Sequence, residues 1–207
     1  MFEGFPEEHR AFFEAVADDT TWETVSARSE QHRRAIYLPM CELADELATE
    51  FGPVKVYRLH RAPNLWVEQW AYAELVDTIA LGVSLSLEGL WVEGGWLRSS
   101  SDQVARYRRA VGPELESIVT QLSSLGYELL GERLKRADSE LLAHRSLVAG
   151  RSLGTGAWLA TREPLERVRA EWRNLRPLVS WLAEHVGPRE APLTQASRSG
   201  SVGCSVG

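Results

Sequence analysis

The chain lacks most of the features that assign a sequence to a class at first sight. It has no run of about 18 apolar residues, so no membrane-spanning helix is predicted. Its two cysteines, Cys41 and Cys204, fall on a predicted helix and in a flexible tail, which argues against a disulfide or a zinc knuckle. The opening MFEGFPEEHR has neither the basic nor the apolar part of a signal peptide. We therefore expect a soluble, cytoplasmic protein.

The motifs of the common cofactor and metal enzymes are absent as well. The five histidines form no HExxH and no closely spaced pair, so no metal site is predicted. The segment Gly154-Thr155-Gly156 lacks the third glycine of a dinucleotide-binding turn and is not a Walker loop. No GxSxG elbow occurs. No cofactor is predicted, and the sequence leaves open whether the protein is an enzyme.

Acidic residues outnumber basic ones: the chain has 29 Asp and Glu and 23 Lys and Arg, which gives a net charge of −6. Proteins that bind phosphate backbones usually carry a basic face, so nucleic acid is not the expected partner. One basic group could still bind a phosphate or carboxylate, and its alternative interpretation is a solvated or ion-paired surface. It consists of Arg133, Lys135, Arg136, Arg145 and Arg151.

Tryptophan is present in excess, with eight in 207 residues, and an apolar share of 44% is enough for the core of one domain. Most of these indoles are expected in the core, and some could line a pocket. Residues 1–186 are predicted to form one domain. Residues 187–207 are rich in Gly, Ser and Pro, which predicts a disordered tail.

Helical patterns occupy the N-terminal quarter of the chain. A first helix is expected near Pro6, and the run Asp18-Asp19-Thr20-Thr21 offers N-cap oxygens for a long second helix that starts at Trp22. Pro39 should kink or divide this second helix, because proline removes a backbone donor. Gly52-Pro53 should end it.

Alternation typical of strands fills the middle of the chain. Strands are predicted over Val54 to Arg61 and over Thr78 to Leu85, followed by a hairpin turn at Glu88-Gly89. Gly94-Gly95 is expected to end or bulge the next strand. The segment from Tyr127 to Leu134 is a further candidate strand.

Helical patterns return in the C-terminal half. Ser101 is the predicted cap of one helix, Pro113 opens another that ends at Gly126, and Thr161 caps a long final helix. Pro177 should bend or interrupt that final helix. The fold class that these patterns predict is α+β, with a mostly antiparallel sheet covered by N- and C-terminal helices.

Several sequence blocks occur together in a familiar order. They are GFPEEHRAFF, KVYRLHR, LEGLWVEGGW, DQVARYRRAV, GERLKR followed by LLAHRSLVAGR, and PLERVRAEWRNLRPLVSWLAEHV. Together they resemble the conserved hypothetical proteins of domain-of-unknown-function family 2461, over nearly the whole chain up to about Val186. The resemblance implies an α+β fold and implies no reaction.

The chain departs from that family in one segment. Typical members follow the KVYRLHR-like strand with a pattern close to R-D-x-R-F-S-K-D-K-x-P-Y-K, whereas this chain has RAPNLWVEQWAYA. Arg61 and Tyr72 match the pattern, Glu68 replaces an aspartate, and the segment loses several other charges while it gains Trp66 and Trp70. We interpret this as a site retuned towards an apolar or aromatic ligand. The alternative is a former site that has filled in.

The altered segment and the hairpin are the best candidate site. Alternation would place Asn64 and the aromatic and acidic residues that follow it on one sheet face, where they could line a pocket or pack as core. Trp91 and Glu93 share a face of the hairpin. The predicted ligand-binding residues are Arg58, Arg61, Trp66, Trp70, Tyr72, Trp91, Glu93, Lys135 and Arg136.

Proton-transfer chemistry is the reaction class that these residues would support. His60 and Glu68 are the predicted catalytic residues, and Glu68 and Glu93 could form a carboxylate pair in which one pKa is raised. The leading hypothesis is a small-molecule-binding protein, with a cofactor-independent cyclase or isomerase as its catalytic form. The alternatives are a non-catalytic protein-interaction module and an anion- or nucleic-acid-binding protein.

Overall fold

A computed structural model describes residues 1–57, 67–133 and 139–190. The chain forms an α+β fold in which a six-stranded antiparallel sheet carries helices from both ends of the sequence, as predicted. The strands are β1 (Val54–Val56), β2 (Glu68–Val76), β3 (Ile79–Ser86), β4 (Gly89–Trp96), β5 (Glu128–Leu130) and β6 (Val148–Gly154). The α-helices are α1 (Glu8–Asp18), α2 (Trp22–Ala27), α3 (Ser29–His32), α4 (Leu38–Phe51), α5 (Ser101–Ala110), α6 (Pro113–Ser124) and α7 (Glu163–His185).

The predicted long second helix is divided into several parts. Thr21 caps α2 by accepting a hydrogen bond from the Thr24 backbone N–H. A π-helical turn, Arg33–Tyr37, joins α3 to α4, and Pro39 lies in the first turn of α4, where a missing backbone N–H costs little. Gly52 follows α4 with a φ of 83°, a conformation that glycine adopts without strain.

The hairpin of β3 and β4 has the predicted strands with a shifted turn. The two turn residues are Leu87 and Glu88, and Gly89 already pairs with Ser86 as the first residue of β4. The predicted end or bulge at Gly94-Gly95 is wrong, because β4 runs through both glycines to Trp96. A register shift lies instead between Leu90 and Trp91, where β4 pairs with β6.

Strand β6 was not predicted, and it completes the sheet. The strand order is β1-β2-β3-β4-β6-β5, so β6 lies between β4 and β5. The strand predicted from Tyr127 to Leu134 is described only as far as Arg133, and within that part it is reduced to β5 with a bridge between Arg133 and His144. The strand predicted over Val54 to Arg61 is described only as far as 57, and within that part β1 ends at Val56.

Helices α4 and α7 pack on one face of the sheet. Trp172 of α7 is buried and donates an indole hydrogen bond of 3.0 Å to the backbone oxygen of Gly82 on β3. Gly94 on β4 allows α7 to approach closely, since an added Cβ would lie 3.0 Å from side-chain atoms of Leu175 and Val179. The core is therefore centred between α7 and this face of the sheet.

Three details of the C-terminal half differ from the prediction. Arg162, rather than Thr161, is the N-cap of α7, and Thr161 Oγ1 accepts a hydrogen bond of 3.1 Å from the Glu163 backbone N–H. Helix α7 continues through Pro177 as one helix, so the predicted interruption does not occur. Ser100, rather than Ser101, caps α5 in a capping box with Gln103. Of the tail predicted to be disordered, residues 187–190 are described and make hydrogen bonds, such as that from Gln103 Nε2 to the Gly187 backbone oxygen at 2.8 Å. The part from 191 onward lies outside the described residues. In the described part of the chain, no helix is both long enough and apolar enough to cross a bilayer.

Candidate functional site

The candidate site lies on the sheet face opposite α4 and α7. Side chains alternate along a strand, so the residues between the core positions of β2, β3 and β4 point to this second face. The pairing register aligns them in two cross-strand rows. One row runs Tyr72, Gly82, Glu93 and Gly150, and the next runs Trp70, Ser84, Trp91 and Ser152.

These rows border an open hollow of about 380 Å³. Large side chains stand on β2 and β4, and small ones lie on β3 and β6 between and beside them. This pattern leaves space above the middle of the sheet. The lining residues are Glu68, Trp70, Ser84, Ser86, Glu88, Gly89, Leu90, Trp91, Glu93, Leu130 and Ser152.

Two glycines let aromatic rings lie close to the sheet. A Cβ at Gly82 would lie 2.6 Å from Cε1 of Tyr72, and a Cβ at Gly150 would lie 2.6 Å from Cζ2 of Trp91. Both distances are far inside van der Waals contact. Any other residue at either position would displace the ring and change the shape of the hollow.

An aromatic group forms the β1–β2 side of the site. The rings of Trp70 and Tyr72 are parallel, with an interplanar angle of 3° and centroids 5.5 Å apart. Tyr57 meets Tyr72 edge-on, with centroids 5.6 Å apart. Such contacts fix ring orientation beyond the effect of burial alone. The Trp70 indole is therefore held as a preformed surface on the hollow.

Glu93 is the most deeply buried acidic group of the site, with only 8% of its surface exposed. Tyr72 Oη donates a hydrogen bond of 3.2 Å to Oε1, and Trp91 Nε1 donates one of 3.3 Å to Oε2. Burial raises the pKa of Glu93, these two hydrogen bonds oppose the rise, and the charge of Glu68 adds to it. Among the described residues, no Lys, Arg or His forms an ion pair with Glu93.

Glu68 supplies a second carboxyl group to the same hollow. It lies at the start of β2, and burial raises its pKa, while a hydrogen bond from the Trp70 side chain opposes that rise. Glu68 is close enough to Glu93 for its charge to raise the pKa of Glu93. Carboxyl groups in an aromatic hollow can hold or release a proton closer to neutral pH than carboxyls in water.

A buried series of hydrogen bonds supports the site from the opposite side of the sheet. His32 Nε2 lies 3.1 Å from Gln69 Oε1, and Gln69 Nε2 donates to the backbone oxygens of Tyr57 at 2.5 Å and Trp70 at 3.2 Å. Burial lowers the pKa of His32 to about 4, so its ring is neutral near pH 7. These hydrogen bonds fix the backbone that carries Tyr57 and Trp70.

The structure brings together every predicted site residue that it describes. Glu68, Trp70, Trp91 and Glu93 line the hollow, and Tyr72 contacts Glu93 at its side. The other predicted site residues lie outside the described parts of the chain. They are Arg58, His60, Arg61, Trp66, Lys135 and Arg136.

Sequence reasoning missed the small residues that shape the hollow. Gly82, Ser84 and Ser86 occupy every second position of LGVSLS, and this pattern predicts that one face of β3 carries only small side chains. Gly150 and Ser152 gave no comparable sign, because β6 itself was not predicted.

Two of the three described members of the basic group form ion pairs, and the third, Arg145, is exposed. Arg151 forms an ion pair of 3.1 Å with Glu171, and its guanidinium lies over the Tyr127 ring. Arg133 pairs with Glu140 at 3.2 Å on an exposed surface. These contacts match the ion-paired alternative for those two arginines.

Comparison with known proteins assigns no activity. No family model, no curated protein and no solved structure matches the chain. The resemblance to family 2461 stays a prediction. Within residues 1–57, 67–133 and 139–190, no group of three or more His, Cys, Asp or Glu side chains could hold a metal ion.

Proposed function

We propose that the protein binds a small apolar or aromatic molecule in the hollow between Trp70 and Trp91. The observation that carries this proposal is Glu93, a carboxyl group buried among aromatic rings with only neutral hydrogen-bond donors in the described structure. Burying a carboxyl group without a compensating charge costs stability. A former site that had filled in would be expected to hold an apolar residue here.

The shape of the hollow supports the same proposal. Ligand sites combine apolar area, which supplies affinity, with a few polar groups that orient the ligand. Indole surfaces from Trp70 and Trp91 and the aliphatic side chain of Leu130 border two carboxyl groups here. The glycines under the rings of Tyr72 and Trp91 keep this arrangement in place before any ligand arrives.

The catalytic form of the proposal is a cofactor-independent cyclase or isomerase. The specific observation in its favour is that Glu68 and Glu93 share one hollow and burial raises the pKa of both. One carboxyl group could donate a proton while the other, ionised, accepts one from another atom of the ligand. His60 remains a predicted further proton-transfer group outside the described residues.

Native mass spectrometry of protein purified gently from its own source tests the proposal. We expect a mass that is lost on denaturation, present in the wild-type protein and absent in Trp91→Ala. Trp22→Ala is the matched control, because it removes an indole from α2, away from the hollow, and should retain the extra mass. Retention of the mass in Trp91→Ala would place the ligand elsewhere, and an apo protein at a multiple of the monomer mass would favour the interaction module.

A further inference from the structure

The charged residues that line the hollow are all acidic in the described structure. Glu68, Glu88 and Glu93 are lining residues, whereas no Lys, Arg or His is among the lining residues that the structure describes. The chain as a whole is also acidic, with a net charge of −6. An anionic ligand would meet repulsion from three carboxylates, and a cationic one would be attracted by them.

The aromatic surfaces suit a cation as well. The face of an indole carries negative potential and attracts ammonium groups, which is the basis of aromatic cages for choline-like ligands. Trp70 and Trp91 stand on β2 and β4 with the small residue Ser84 between them in the cross-strand row. The gap above Ser84 therefore has a tryptophan on the strand at each side and carboxyl groups at its borders.

Within the described residues, Glu93 has unused capacity to accept hydrogen bonds. Each of its oxygens accepts one hydrogen bond there, from Tyr72 or from Trp91, whereas an ionised carboxylate offers about four acceptor sites. Neither donor carries a charge. A ligand N–H would use the remaining acceptor capacity and neutralise the buried charge at once.

Resting on the proposed small-molecule function, we infer that the ligand carries a positively charged nitrogen, as an amine or ammonium group on an apolar or aromatic body. The nitrogen lies beside Glu93, and the body lies against Trp70 and Trp91. An organic cation fits this lining better than a hard metal ion, because calcium and magnesium ions need about six or more oxygen ligands and gain little from indole surfaces.

Three probes of nearly equal size separate the charge of the ligand from its shape. They are 2-phenylethylamine as the cation, 2-phenylethanol as the neutral analogue and 3-phenylpropionate as the anion. Binding is followed in the full-length protein by NMR of the 15N-labelled indole N–H groups. The Trp91 signal is the direct reporter, because this indole N–H donates to Glu93.

We expect the amine to shift the Trp70 and Trp91 signals with the lowest Kd of the three probes, by about tenfold or more over the alcohol. If all three probes bind equally, or the alcohol or the carboxylate binds best, the inference is overturned and the proposed function survives. If no probe shifts either signal, both fail.

Glu93→Gln supplies a second measurement that keeps the shape of the site. It should weaken amine binding about tenfold or more and leave alcohol binding unchanged. Glu74→Gln is the matched control, because Glu74 is on the same face of β2 but pairs with Lys55 outside the hollow. If both variants lose the same amine affinity, the effect comes from the net charge of the protein and not from a contact with Glu93, and the inference is overturned.

Discussion

Two buried glutamates on opposite sides of the sheet have nearly the same exposure and very different surroundings. Glu171 on α7 is 9% exposed, pairs with Arg151 at 3.1 Å and accepts a hydrogen bond from Tyr127. Glu93 is 8% exposed on the open face, and its partners in the described structure are the neutral donors Tyr72 and Trp91. The side covered by helices compensates its buried charge. On the open side, we propose that a ligand supplies that compensation.

The two sides of the sheet also differ in how their buried groups make folding stability depend on pH. Folding lowers the pKa of His32, on the helix side, to about 4, so acid favours the unfolded chain between that value and the ordinary pKa of 6.5. Glu93, on the open side, is favoured in its protonated form by burial, so acid favours the folded state there. The two sides should therefore contribute pH dependences of opposite sign.

The largest expected effect is the acid sensitivity due to His32. Its pKa falls from 6.5 to about 4 on folding, so the unfolded chain binds more protons between those values. Stability should fall as pH drops through that window, by roughly 3 kcal/mol in total, and stay level below it. Urea unfolding of wild type and His32→Gln from pH 7 to pH 4 measures this difference. An equal slope in the two proteins would contradict the burial of a neutral His32.

Glu171→Gln should produce the next largest effect. It leaves Arg151 without its partner, and the cost should be about 2 kcal/mol at pH 7, below the usual range for fully buried pairs because the arginine is 33% exposed. Urea unfolding at two salt concentrations checks the value. A loss that disappears in 1 M salt would show a solvent-screened pair instead.

Alanine substitutions at two close-packed glycines, one on each face of the sheet, should differ in their effect on the Trp91 indole N–H signal. Gly94→Ala presses against Leu175 and Val179 of α7, and Gly150→Ala presses against Trp91, so each should lose about 1–3 kcal/mol. The indole N–H signal of Trp91 should shift strongly in Gly150→Ala and little in Gly94→Ala. The same Trp91 shift in both variants would mean that the two faces are mechanically coupled.

The periodic parts of the fold could be predicted from the sequence. Ile79, Leu81, Val83 and Leu85 alternate along β3 and are all buried. The same rule placed Trp91 and Glu93 on one face of β4. Local patterns of this kind depend on one element at a time, and such an element keeps its periodicity whatever it packs against.

The features that were predicted wrongly or missed depend on contacts between elements distant in the sequence. Pro177 stays inside α7 because neighbours such as Leu175 and Leu178 bury the helix against the sheet, which outweighs a local cost of about 3 kcal/mol. Strand β6 reads VAGRSLG, and its glycines weaken any strand signal. The meeting of Tyr72 with Glu93 requires three strands in register with Gly82 between them, which no local pattern encodes.

The most direct test of the account is the unfolding free energy of Glu93→Gln at pH 7, compared with wild type and with Glu171→Gln. Burial raises the pKa of Glu93 on folding, so its ionised form opposes folding above that pKa. We expect Glu93→Gln to be more stable than wild type by about 1 kcal/mol at pH 7. This difference should shrink in acid, because Glu93 of the wild-type protein becomes protonated. A loss of stability like that of Glu171→Gln would show that Glu93 is a structural residue and would contradict the assignment of the open face as a binding site.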